Sequence, residues 1–96
     1  MEDRIRYINL FDYYGELFTD KQREYFMDYY FNNLTLAEIS ENNLVSRNAV
    51  HKQLKEIEKK LDFFEEKLSL YEKSIKIKDL IVNLDEELKV KIEELI

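Results

Sequence analysis

The sequence predicts an all-α fold, five helices with a helix-turn-helix among them, and three observations carry that expectation. Its 96 residues include no proline and a single glycine, Gly15, so the residues that punctuate hairpins and strands are missing. Apolar residues recur at three- and four-residue spacing along most of the chain, the period of an amphipathic helix. Thr19, Thr35 and Ser46 stand where N-caps belong, just ahead of such runs. With 45% hydrophobic residues the chain can fill one core, so residues 1–96 are read as one domain, with a helix-turn-helix core at about 19–60 and a packing or dimerisation element at about 61–96.

The first helix is expected at residues 3–17, where Tyr7, Leu10, Phe11, Tyr14 and Phe18 share a face. Ten of the thirteen aromatic residues precede residue 32, so a platform stacking on unpaired RNA bases has to be weighed against rings filling a small core. Thr19, with Asp20 in the first turn, starts a second helix that runs to about Phe31 and turns Phe26, Tyr29 and Tyr30 inward. Asn32 and Asn33 end it, since asparagine tolerates the left-handed conformation of a C-cap.

The third helix opens on a capping box, Thr35 with Glu38, and buries Leu36, Ala37 and Ile39. After a turn through Asn42, Asn43, Leu44 and Val45, Ser46 caps a fourth helix. Val50, Leu54 and Ile57 form its inner side, while Arg47, Asn48, His51, Lys52 and Lys55 lie outside, the layout of a recognition helix. The apolar series then continues through residues 61, 64, 68, 71 and 75 at alternating four and three spacing, a heptad seam predicting one long helix. From Leu61 onward that seam needs a second surface, either the last helix of the same chain or another copy. A homodimer through Leu61, Phe64, Leu68 and Tyr71 is the expectation. Asn83 and Glu86 read as a capping box for the last helix, whose stripe is Leu84, Leu88, Ile92 and Leu95.

Composition excludes several function classes. No cysteine is present, so disulfides and thiolate metal sites are out. No apolar run approaches the length of a signal sequence core or a membrane span, and a cytoplasmic, soluble protein is expected. The acidic clusters Asp85-Glu86-Glu87 and Glu93-Glu94 read as solvated helix charge rather than metal ligands, and neither metal nor cofactor is expected. His51 is the single histidine and no nucleophile pairs with it, so the chain is read as a non-enzyme. A net charge of −6 disfavours general nucleic-acid binding, yet residues 46–60 carry five basic against two acidic side chains, +3, leaving −9 elsewhere. Arg47, Asn48 and His51 are accordingly the candidates for base edges, and Lys52, Lys55 and Lys59 for phosphates.

A family resemblance narrows this. Leu17, Thr19, Lys21-Gln22-Arg23, Tyr29-Tyr30, Leu34-Thr35-Leu36-Ala37-Glu38-Ile39, Val45-Ser46-Arg47, Ala49-Val50, Lys59, Leu61, Glu65-Glu66-Lys67-Leu68 and Leu70-Tyr71-Glu72-Lys73 resemble the YlxM family of small bacterial proteins. The match spans residues 17–73. It implies a helix-turn-helix like that of the fourth region of sigma factors, and a regulatory role in the signal recognition particle pathway. The particle's protein or its RNA would then be the partner, with sequence-specific DNA binding as the alternative. The resemblance also implies structural roles for Glu38, Ser46 and Val50, and a recognition surface at Arg47 and Lys55. Glu56 stands where the family often has a further basic residue, and His51 where an aromatic is expected.

Overall fold

The computed structural model describes residues 2–96, all of them helix or the turns between helices. Helix α1, Glu2–Tyr14, runs into a 3-10 turn, Gly15–Leu17. Its aromatic face lies in the core, with Leu10, Tyr14 and Phe18 buried. Phe11 stacks on Phe26 with ring centroids 4.0 Å apart, and Phe26 on Tyr30 at 4.3 Å. Each such pair adds about 0.5–1.5 kcal/mol beyond the area it buries. Tyr14, Phe18, Tyr25, Phe26 and Tyr30 are therefore core residues and present no platform for bases.

Helix α2, Asp20–Phe26, begins on a complete capping box between Thr19 and Gln22 and continues through a π turn, Met27–Phe31. Asn33 follows in the left-handed region at φ 54°, as its side chain permits. The free carbonyls at this end are taken by Arg4 of α1, whose guanidinium donates to Tyr29 O at 3.1 Å, Tyr30 O at 2.8 Å and Asn33 Oδ1 at 2.9 Å. A cation at a helix C-terminus is favoured by the backbone dipole, and here it also ties α1 to α2.

Helices α3, Leu36–Asn43, and α4, Arg47–Leu68, form the helix-turn-helix. Both expected caps are made. Thr35 and Glu38 exchange bonds of 3.0 and 3.1 Å, and Ser46 Oγ accepts from Ala49 N at 3.0 Å. Val50, Ile57 and Leu61 are fully buried under α4, each worth about 1.5–3 kcal/mol by removal from water.

Three expectations are corrected. The long helix breaks at Ser69, which adopts φ 56°, so α4 is followed by a separate α5, Leu70–Leu80, and the described residues form six α-helices rather than five. The break is held from outside, by Glu65 and Tyr14, whose side chains occupy the first N–H groups of α5. Secondly, the last helix, α6, Glu86–Glu93, is capped by Asp85, whose Oδ1 accepts from Leu88 N at 3.0 Å, and not by Asn83. Thirdly, part of the seam beyond Ile57 packs towards α1, a surface that was neither of the two expected. Leu61 is fully buried in the core, Phe64 packs on Tyr14 and Phe18 at 5.8 and 5.9 Å, and the Tyr71 hydroxyl accepts from Asn9 Nδ2 at 3.1 Å. Leu61, Phe64 and Tyr71 are thus used within the chain, and Leu68 alone of the four expected dimer residues is counted among the exposed, at 47%.

Candidate nucleic-acid interface

The outer face of α4 is fixed by what lies beneath it. Burial of Val50, Leu54, Ile57 and Leu61 sets the rotation of the helix about its axis. At about 100° per residue, Arg47, Asn48, His51, Lys52, Lys55 and Lys59 then fall within an arc of roughly 140° that begins beside the buried stripe and runs round the outside of the helix. All six are exposed. Among the described residues, Arg47, Asn48, His51, Lys52 and Lys59 make no side-chain hydrogen bond or ion pair within the chain. Lys55 is engaged, 3.4 Å from Glu58 Oε1, and Glu58 in turn accepts from the Tyr30 hydroxyl.

The turn that presents this face is closed by backbone hydrogen bonds. Leu44 takes the left-handed position, φ 55°, and is 93% exposed; its N–H reaches back to Glu41 O. Val45 N donates to Ser40 O at 3.1 Å, which completes the close of α3. Glu38 sits at the other end of α3, and its carboxyl is held below the usual carboxylate range by the backbone N–H of Thr35 and then by the Thr35 hydroxyl.

Chemically, the arc offers one guanidinium, one carboxamide, one imidazole and three ammonium groups. Arginine can donate two bonds to guanine and asparagine can pair in the same way with adenine, while lysines suit phosphates. The periodicity of α4 places all six residues on its outer side, and all six side chains are exposed. The same periodicity misses Lys21, because the contact that brings α2 to the turn, Lys21 Nζ to Asn43 Oδ1, joins residues far apart in sequence. Neither Arg4 nor the Tyr14–Glu65 pair carries a sequence signal, for the same reason. No described helix is long and apolar enough to cross a membrane.

Comparison with known proteins bears on this geometry. The sequence model of the UPF0122 family, "Putative helix-turn-helix protein, YlxM / p13 like", matches residues 1–96. A UPF0122 protein of Clostridium botulinum is 45% identical over 91 residues, covering 95% of this chain and 84% of that protein. One from Malacoplasma penetrans is 55% identical over 47 residues, 49% of this chain and 44% of the relative. A third, from Caldanaerobacter subterraneus, is 49% identical over 59 residues, 60% of this chain and 50% of the relative. The matched stretch thus spans about half the length of the second and third of these relatives.

Proposed function

The chain belongs to the UPF0122 family of YlxM/p13-like helix-turn-helix proteins, and from that premise we propose a non-enzymatic, cytoplasmic regulator of the signal recognition particle pathway that engages nucleic acid through the outer face of α4. One observation carries the binding part: a basic arc on an acidic protein, five of whose six side chains are unused by the chain itself. In this reading Arg47, Asn48 and His51 address base edges, and Lys52, Lys55 and Lys59 neutralise phosphates. The pathway assignment rests on the resemblance of residues 17–73 to YlxM proteins, with the particle's RNA or protein as partner.

A second reading, a sequence-specific DNA-binding transcriptional regulator, is favoured by the shape of the face. An unencumbered helix fits the major groove of B-form DNA, whereas the deep, narrow major groove of A-form RNA excludes it. Dimerisation suits that reading, since paired helix-turn-helix units read half-sites one helical turn apart. The exposed apolar residues Phe63, Leu68, Leu70, Ile75, Leu84 and Leu88 are the surface proposed for it.

The test is binding of the purified protein to labelled mixed-sequence DNA, to the particle's RNA and to its protein subunit, each at about 50 and 200 mM salt, a range over which phosphate-mediated binding falls steeply. Nucleic-acid binding that is lost in Arg47→Ala with Lys55→Ala supports the α4 face. Binding to the protein subunit alone, insensitive to salt, refutes it. For the dimer, Leu68→Asp should lower the mass in sedimentation to that of one chain; an unchanged dimer mass would dispose of this surface.

A further inference from the structure

We propose that the groove between α2 and α4 seats a phosphodiester of duplex DNA, gripped by Lys21 from one wall and Lys52 from the other; this rests on the reading of α4 as a DNA-binding face. The groove has a volume of about 460 Å³. Lys21 and Gln22 line it from α2, Lys52 and Gln53 from α4, and Tyr25 and Ala49 add apolar surface. All four polar side chains can donate to phosphate oxygens.

Charge singles this groove out. Its lining holds two lysines and no carboxylate, on a chain of net charge −6. The groove between α1, α4 and α5 is lined by Asp62, Glu65, Glu66 and Glu72 against a single arginine, Arg6, and repels a polyanion. Continuity with the α4 arc is the second argument. Lys52 stands at the edge of that arc, and Ala49 and Gln53 are the residues by which α4 turns from its outer face into the groove. A helix laid in a major groove about 12 Å wide has a sugar-phosphate strand along each flank, and this groove is one flank of α4.

The donors are available. Lys52 and Gln53 are exposed, and among the described residues neither side chain is bonded within the chain. Gln22 uses its carbonyl oxygen on Thr19 N, at 3.1 Å, which leaves the amide NH2 as a donor. Lys21 is held in place by three contacts: Asn43 Oδ1, the Tyr25 ring at 5.5 Å, and Glu24 Oε2 at 3.5 Å. Those contacts are on the surface, and exchanging an exposed carboxylate neighbour for a phosphate costs little.

The experiment is a salt titration of full-length protein on a labelled mixed-sequence duplex, from about 50 to 200 mM, in which the slope of log K against log salt is about −0.9 per phosphate neutralised. Lys21→Gln should reduce the slope by about 1, and Lys21→Gln with Lys52→Gln by about 2. Lys21→Arg should restore the wild-type slope. Asn43→Ala, which removes the internal partner of Lys21, should leave it unchanged. A slope untouched by Lys21→Gln, in a protein whose binding still depends on Arg47 and Lys55, overturns the groove and spares the α4 face. Loss of slope in Asn43→Ala equal to that in Lys21→Gln assigns Lys21 a structural role and also overturns it. Equal, Lys21-dependent binding of an A-form RNA duplex overturns the assignment to DNA. Absence of any duplex binding by the wild type removes the α4 reading and the groove together.

Discussion

Replacing Glu65 should loosen the protein more than its place on a charged helix suggests. Its carboxylate is 9% exposed and accepts three hydrogen bonds: from the Tyr14 hydroxyl at 2.6 Å, Tyr71 N at 3.1 Å and Glu72 N at 3.0 Å. The Tyr14 oxygen itself accepts from Leu70 N at 3.1 Å. The first three N–H groups of α5, which no helix can satisfy internally, are therefore all held by this pair. Ser69, the residue in the N-cap position, makes no capping bond with its side chain. Glu65 thus caps α5 from the end of α4, and the chain accepts a left-handed serine, costing roughly 1–2 kcal/mol, to make it possible.

Glu65→Ala removes a buried acceptor and strands one hydroxyl and two amides. Bonds to a carboxylate are worth about 1.5–3 kcal/mol each, but desolvating it offsets part of that, and alanine is the better helix former. A loss comparable to a strong cap plus one unsatisfied buried group, about 2–4 kcal/mol, is expected. For a domain of this size that lowers Tm by roughly 10–30 °C. Against a total stability of about 5–15 kcal/mol the variant still folds, so urea unfolding can measure it. Tyr14→Phe should cost about 1–2 kcal/mol, and the double variant less than the sum by about 1 kcal/mol, since the two act as one unit. Amide exchange at Leu70, Tyr71 and Glu72 should accelerate in either variant. If Glu65→Ala lies within about 0.5 kcal/mol of wild type, the ordinary range of a surface change, and those amides stay protected, the break at Ser69 is held by something else.

Leu44→Gly should stabilise the protein by about 0.5–1 kcal/mol, because a left-handed leucine is relieved and a side chain 93% exposed gives up no burial; a lower midpoint in urea would contradict this. Gly15→Ala should destabilise by about 1 kcal/mol despite alanine's better helix propensity. The new Cβ would stand 3.1 Å from the Phe11 ring, which is pinned on Phe26, and a stabilised variant would mean that the ring yields. The fold should also be lost in alkali. Burial and the Glu65 hydrogen bond push the Tyr14 phenol from 10.0 up to about 12, and Tyr7 and Tyr30 are raised by burial and by Asp62 and Glu58. A raised pKa means the folded state holds the proton more tightly, so this stabilisation is complete below pH 10.0 and disappears as pH rises through about 12. Phenolate absorbance titrating at its ordinary pH with helicity intact would refute it.

What the sequence revealed and what it hid divide by distance along the chain. The Thr35–Glu38 box and the Ser46 cap each span three residues, so the residues that cause them lie side by side. The α4 face follows from a period of 3.6, again a local rule. The break at Ser69 has its cause in Tyr14, 51 residues from Glu65, and no window on α4 contains it. Nothing local warns of it either: serine is an ordinary helix residue, and the apolar spacing runs across the break unaltered. Asn83 misled for the opposite reason, because Asn83 and Glu86 imitate a capping box while the cap actually made is Asp85 to Leu88 N. The seam's width misled too. Leu61, Phe64 and Tyr71 looked like surplus for a partner because only the last helix and a second copy were weighed as the surface for the seam, and the aromatic face of the first helix was not. The two faces cover each other, and a stripe argues for a partner only after its own chain has been offered every other stripe. By that standard the proposed dimer rests on Leu68, which stays exposed among the four residues the heptad pointed to, together with the exposed Ile75 and Leu88.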